Sequence, residues 1–208
     1  MIEYDVQQGS PEWVKLRLGI VTASQFDRIL TPKKLKLAEG RDTYSSELIA
    51  EWWTGEPADG ASSGFMERGT KIEQEARDWY AFERSVDVRQ VGFITTDDAR
   101  VGCSPDGMVD PDGGLELKVP AAKTHVAYLR NPATLAADYR MQVQGCLWVT
   151  GRKWWDVASY NPAMHGVIVR CEPDTEFQAA FGPALAVFLD ELESAKRACR
   201  MVQTEATT

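Results

Sequence analysis

The spacing of apolar residues along the chain changes from helical to alternating and back again. Ser10-Pro11-Glu12 reads as a helix start, with serine at the cap, proline at the first helical position and an acid in the first turn. Trp13, Leu16 and Leu18 supply its apolar contacts, and Gly19 ends it. Thr22 or Ser24 caps a second short helix through Leu30, with Phe26, Ile29 and Leu30 facing inward. A basic loop over 32–40 leads to a helix over 42–53, and a loop rich in glycine, alanine and serine follows over 55–64. A longer amphipathic helix is predicted over 67–84, with Ile72, Ala76, Trp79, Tyr80 and Phe82 as candidate core positions. The period then shortens, and Val88, Val91, Phe93 and Ile94 predict a strand over 86–95. A strand–turn–strand unit follows over 103–119, then a helix over 134–149 and strands over 153–160 and 166–171. A final helix over 175–201 carries Phe177, Phe181, Leu185, Phe188, Leu189 and Leu192. This order predicts an α/β sandwich built around a mixed sheet.

Length changes that picture little: 208 residues suffice for one domain with a sizeable core, expected over 1–203 with a polar, fraying tail at 204–208. No apolar run approaches the ~18 residues a membrane helix needs. Met1 to Asp5 lacks the basic start and apolar core of a secretory signal, so a cytoplasmic location and no membrane partner are expected. Cys103, Cys146, Cys171 and Cys199 are scattered, which argues against a zinc or iron–sulfur site and for buried reduced thiols. The net charge of -8 speaks against a simple electrostatic DNA clamp. It leaves room for an enzyme that gathers its basic residues in one channel, with Lys33, Lys34, Lys36, Arg41, Arg152 and Lys153 as the local clusters. Each of these equally reads as a solvated surface charge.

The candidate chemistry lies in Gly102-Cys103-Ser104-Pro105-Asp106-Gly107 and Leu115-Glu116-Leu117-Lys118. Asp110-Pro111-Asp112-Gly113-Gly114 between them is a turn by composition. If all five of those residues form the loop, Asp106 falls opposite Lys118. Asp106, Glu116 and Lys118 then share one face, while Leu115, Leu117 and Val119 enter the core. Two carboxylates on one face suit a hard divalent ion, which lowers the pKa of bound water and neutralises charge on a scissile phosphate. Lys118 beside two acids keeps its charge, which makes it an electrostatic helper rather than a general base. An isolated ExK is usually an exposed strand face; here the apolar alternation and the upstream Ser-Pro-Asp-Gly argue otherwise.

Ser104-Pro105-Asp106-Gly107 followed by Gly114-Leu115-Glu116-Leu117-Lys118 resembles the PD-(D/E)xK core of the lambda exonuclease, or YqaJ-type viral recombinase, family. Three further blocks resemble the same family in order. They are Trp13-Val14-Lys15-Leu16-Arg17-Leu18-Gly19 with Thr22-Ala23-Ser24, then Gly69-Thr70-Lys71-Ile72-Glu73, and Tyr139-Arg140-Met141-Gln142-Val143-Gln144. The resemblance implies a restriction-endonuclease-like three-layer α/β fold with a central mixed β-sheet flanked by helices. It implies a Mg²⁺-dependent exonuclease, with Mn²⁺ able to substitute and one or two ions per site. The enzyme would digest the 5′-ended strand of linear duplex DNA processively, from 5′-phosphate ends, as a ring-shaped homotrimer. A single-strand annealing protein would be its partner in phage-type recombination.

Carried over by motif, Asp106 and Glu116 become metal ligands with the Leu117 carbonyl, Lys118 the catalytic lysine, and Glu73 a further acid at the metal. Arg17, Ser24, Ser104, Gln142 and Gln144 would hold phosphate or DNA. The residues taken alone leave alternatives open. Glu73 can pair with Arg77 one helical turn away, Arg17 with Glu12 or Asp27, and Ser24 can merely cap a helix. Gln142 falls on a stripe with Leu135, Tyr139, Cys146 and Val149 that should face the core, whereas Gln144 sits beside Arg140 on the face expected to meet DNA. The pairs Trp52-Trp53 and Trp154-Trp155 read as packing before base stacking, and neither His125 nor His165 has a partner that makes it a catalytic base. Competing functions are a site- or structure-specific endonuclease of the same fold and a catalytically inert DNA-binding or assembly module.

Overall fold

A computed structural model describes residues 1–58 and 66–205, without the side chains of 66–71 and 202–205. Its elements in chain order are β1 (Ile2–Tyr4), α1 (Pro11–Arg17), β2 (Val21–Thr22), a 3₁₀ turn (Ala23–Arg28), α2 (Arg41–Thr54) and α3 (Met66–Arg84). Five strands follow: β3 (Val88–Arg89), β4 (Phe93–Thr95), β5 (Val101–Cys103), β6 (Gly107–Val109) and β7 (Gly113–Lys118). The chain closes with α4 (Ala122–Arg130), α5 (Pro132–Asp138), α6 (Arg140–Thr150), β8 (Trp154–Ser159), β9 (Val167–Cys171) and α7 (Thr175–Glu205).

The α/β class is as expected, with strands dividing into two sheets. One runs β1-β4-β5-β2 and the other β3-β6-β7-β8-β9. Both are mixed, because β2 pairs parallel to β5 and β7 parallel to β8, while the remaining pairs are antiparallel. The segment expected as one strand over 86–95 is therefore two short strands in different sheets. The helix expected over 134–149 is two, α5 and α6, and α4 and β1 were not foreseen. Asn131-Pro132 separates α4 from α5, since the residue before proline avoids the helical region. At the C-terminus α7 runs through Glu205, and the rest of the tail expected to fray lies outside the described residues. Part of the loop expected over 55–64 lies outside the described residues.

The larger sheet is buried on both faces. Leu115, Leu117, Val109 and Ala158 pack against Ala76 and Tyr80 of α3. Met108, Trp155 and Val157 look the other way, into a core with Cys146, Leu147, Phe177 and Phe181 from α6 and α7. On α3 the inward stripe is narrower than expected: Phe82 is 85% exposed and Ile72 also faces solvent. Val119, expected in the core, is exposed past the end of β7. No helix among the described residues is long and apolar enough to cross a membrane.

The two tryptophans of β8 explain a local surprise. Gly113 and Gly114 pair with Trp154 and Trp155, and a Cβ on either glycine would meet an indole ring at 2.0–2.3 Å. The rings occupy the space where side chains would stand, so both glycines belong to β7 rather than to the turn. The loop is therefore only Asp110-Pro111-Asp112, with Asp110 in the left-handed region at φ 48°. Arg152 closes it by donating to the carbonyls of Asp110 and Gly113, while Lys153 pairs with Asp112. That basic pair staples the hairpin.

Candidate active site

In the β6–β7 hairpin Gly107 pairs with Leu115, Met108 with Gly114 and Val109 with Gly113. The ladder stops at Gly107 and the Asp106 N–H donates to Leu115 O at 3.1 Å, so Asp106 stands beside the Leu115–Glu116 step and not opposite Lys118 as expected. The correction is a register shift of two, and an even shift leaves every side chain on its original face. Asp106 and Glu116 line the same cavity, and the Glu116 charge acts on Asp106.

The surroundings of the two acids differ. Glu116 is 2% exposed, and its Oε1 accepts from Lys118 Nζ at 2.6 Å and from Gln142 Nε2 at 2.6 Å. Its Oε2 is buried with no hydrogen-bond partner among the described residues. Asp106 is half-buried, and its Oδ2 accepts from the Leu117 backbone N–H at 2.6 Å. Burial, then the Glu116 charge, pushes the Asp106 carboxyl well above the usual carboxylate range, against the pull of the Leu117 N–H. Burial also raises Glu116, although Lys118 and Gln142 oppose it. For Lys118, burial works against the charge, but Glu116 and Asp106 outweigh it and its pKa is raised. Its ammonium also lies 4.5 Å from the centre of the Tyr139 ring and donates to Gln142 Oε1 at 3.3 Å.

Asp106 and Glu116 form one wall of a cavity of about 210 Å³, which Arg17, Ser24, Ser104 and Gln142 also line. Arg17 donates to Ser104 Oγ at 3.2 Å and stacks 4.0 Å over the Trp13 ring, and burial lowers its pKa. Those contacts replace the pairing with Glu12 or Asp27 that the sequence left open. Ser24 is exposed at the cavity and lies 3.4 Å from Thr22 Oγ1, without capping the 3₁₀ turn. Close packing of α6 on that turn brings the two sides together. A Cβ on Gly145 would meet Phe26 at 2.5 Å, so only glycine lets the helix carrying Gln142 approach so far.

Two expected site residues are placed differently. Gln144 is 4% exposed and points away from the cavity, donating to Glu172 O at 2.8 Å and accepting from Asp174 N at 2.8 Å. Gln178 donates to it as well, so it ties α6 to the start of α7 and has no face toward DNA. Gln142 instead reaches Glu116, the place of a hydrogen-bonded amide that supports the site, because α6 turns that side toward the acid. Gln144→Leu should then cost about 1–3 kcal/mol of stability, the range for stranding hydrogen-bonding groups. Thermal unfolding should fall while cleavage kinetics at low temperature stay unchanged; a changed KM for DNA would return Gln144 to the substrate.

Glu73 is the second case. Its Oε1 pairs with Arg77 at 3.4 Å, the local alternative, and no cluster of three Asp, Glu, His or Cys side chains capable of holding a metal occurs among the described residues. Its charge still reaches both Asp106 and Glu116. Sequence reasoning missed Trp13, whose Nε1 donates to Ser104 Oγ at 3.0 Å, and Gln8, which lines the cavity. Trp13 stands in a recognisable block, whereas nothing in the sequence marks Gln8. Cys103 and Cys146 are buried beside the cavity as expected of reduced thiols, but Cys171 is half-buried and Cys199 exposed. His125 is fully buried between Ser159 Oγ and the His165 carbonyl.

A divalent ion fits the donors. Two carboxylates line one cavity, one buried oxygen lacks a partner among the described residues, and burial raises both acids.

Residues 12–153 match the model of the YqaJ-like viral recombinase domain. Among solved structures the chain is similar to the alkaline exonuclease LHK-Exo from Laribacter hongkongensis, with 32% identity and a TM-score of 0.82 over 95% of this chain and 100% of that one. The structure of LHK-Exo in complex with dAMP matches equally well, at the same identity, coverage and TM-score. A phage related exonuclease from Haemophilus somnus 129PT shares the fold at 15% identity and TM-score 0.65, over 85% of this chain and 96% of that one. No curated protein matches significantly.

Proposed function

Because the chain belongs to the YqaJ-like viral recombinase family and has the fold of an alkaline exonuclease, we propose that it is a Mg²⁺-dependent 5′-to-3′ exonuclease acting on linear duplex DNA. The family makes it a nuclease; polarity, substrate and metal belong to the proposal. One observation carries it: a cationic, hydroxyl-lined pocket and the Asp106–Glu116 pair share a cavity of about 210 Å³. A space that small suits a terminal nucleotide better than a continuous duplex.

Asp106, Glu116 and the Leu117 carbonyl would hold the ion. When bound it would act as a Lewis acid on the scissile phosphate and lower the pKa of a water molecule. Lys118, held by Glu116, Gln142 and Tyr139, keeps a positive charge directed at the phosphate oxygens. Gln142 orients both partners of that ion pair, donating to the acid and accepting from the lysine. Glu73 adds negative charge from outside the pair. Arg17, with Ser104 and Ser24, holds the 5′-phosphate by charge-assisted hydrogen bonds. The exposed Lys33, Lys34 and Lys36 offer the duplex backbone a basic track. A homotrimeric ring and a single-strand annealing partner complete the reading, on the strength of the family.

The deciding experiment compares linear 5′-phosphorylated duplex with closed circular DNA in Mg²⁺. Linear DNA should disappear from its 5′ ends, circles should persist, and EDTA should stop the reaction; efficient cutting of circles would favour an endonuclease. Arg17→Ala should lose the preference for 5′-phosphate over 5′-hydroxyl ends by roughly thirtyfold, the equivalent of about 2 kcal/mol for a charged hydrogen bond. An unchanged preference would assign Arg17 to packing against Trp13.

A further inference from the structure

Asp106 lies just outside the sheet ladder, since β6 starts at Gly107. A metal ligand at a strand end needs its backbone held by something else. Its own N–H donates to Leu115 O at 3.1 Å. Pro105 before it has no N–H, so its carbonyl is its only backbone hydrogen-bonding group. That carbonyl accepts from Gln8 Nε2 at 2.8 Å, and the same nitrogen donates to Val91 O at 2.9 Å. On the other side of the residue, Arg77 Nε donates to the Asp106 carbonyl at 3.0 Å.

We propose that Gln8 is a positioning residue for the metal site: its amide, together with the Arg77 guanidinium, clamps the carbonyls flanking the Asp106 Cα and fixes its carboxylate toward Glu116. Gln8 comes from the loop after β1, and Gly92 lets that loop in. A Cβ on Gly92 would meet the Val6 carbonyl oxygen at 2.0 Å. By bridging Val91 and Pro105, Gln8 ties the Asp106 segment to the chain entering β4. It also lines both the 210 Å³ cavity and a second one of about 580 Å³ that includes Glu73 and Arg77, with Asp106 as their shared wall. Without its amide, that wall loses the bond to the Pro105 carbonyl and with it the link to Val91.

This inference rests on Asp106 being a metal ligand, and the test separates the two claims. Mn²⁺ binding to the full chain, without DNA, is measured by electron paramagnetic resonance for wild type, Asp106→Asn, Gln8→Met and Gln8→Asn. Asp106→Asn should abolish binding. Gln8→Met, equal in length but without donors, should raise the Kd for Mn²⁺ by about tenfold or more, the usual effect of losing a group that orients a metal ligand. Gln8→Asn, too short to span both carbonyls, should raise it less. The cleavage deficit of Gln8→Met should shrink as Mn²⁺ is increased, and in EDTA the variant should be folded, with a thermal midpoint lowered by the two carbonyls left without a donor. Wild-type Mn²⁺ affinity in Asp106→Asn would overturn the metal site itself. Loss of binding there with wild-type affinity in both Gln8 variants would overturn the clamp alone. If Gln8→Met does not fold, wild-type affinity in Gln8→Asn overturns it equally.

Discussion

Asp106→Asn and Glu116→Gln are each expected to lower DNA cleavage by roughly a thousandfold or more while leaving the protein folded. The magnitude follows from losing the Lewis acid, which is worth several kcal/mol at the transition state, about 1.4 kcal/mol per tenfold in rate. The preserved fold follows from the local geometry. Asn at 106 keeps an oxygen for the Leu117 N–H, and Gln at 116 keeps one for the Gln142 amide. Asp106→Asn also removes one of two neighbouring negative charges, so its apo stability should be unchanged or raised, whereas Glu116→Gln takes the counter-charge from Lys118 and should lower it. Thermal unfolding in EDTA would show both alongside end-labelled digestion. Near-normal rates in both variants would take these acids out of the mechanism.

The second large effect concerns pH. Both acids have raised pKa values in the folded chain, Asp106 well above the usual range. Between the ordinary carboxylate range and those raised values, the native state therefore binds more protons than the unfolded state. Stability of the metal-free protein must fall as pH rises through that window. Metal binding runs the opposite way, because the ligands must first lose their protons. Affinity should climb by up to about tenfold per pH unit while one proton is being displaced. The increase in thermal midpoint on adding Mg²⁺ should thus grow as pH rises above the ordinary carboxylate range, and cleavage should rise with it. In Asp106→Asn the metal-free slope should flatten. A Mg²⁺-induced shift of constant size across that range would show that the site carries no such protons. Lys118, raised rather than lowered, should stay charged throughout and contribute no basic limb of its own below the range of an ordinary lysine.

The hairpin illustrates how far local pattern reaches. Alternation in Leu115-Glu116-Leu117-Lys118 was enough to put Asp106, Glu116 and Lys118 on one face, since side-chain parity is a property of the strand itself. The loop length was misread because Gly113-Gly114 looks like turn chemistry, and the tryptophan rings that make it strand belong to β8. The two glutamines of α6 show the same limit at helical period. Their spacing separates their faces, but which face meets Glu116 depends on the contact between Gly145 and Phe26. On α3, Phe82 satisfied an approximate apolar count and still faces solvent, because Ala76, Trp79 and Tyr80 form the side that packs on the sheet.

By itself, then, the sequence determined the element types along most of the chain, the helix start at Ser10, the shared face of the two acids and the lysine, and the family. These depend on periods of a few residues and on motif blocks. The tertiary structure alone decided the register of the β6–β7 hairpin, the division into two sheets, the separate partners of Gln142 and Gln144, and the hydrogen bonds of Gln8 to Pro105 and Val91. Each of those joins segments far apart in the chain, where ring volume, close approach and hydrogen-bond satisfaction choose among arrangements that local pattern leaves equal.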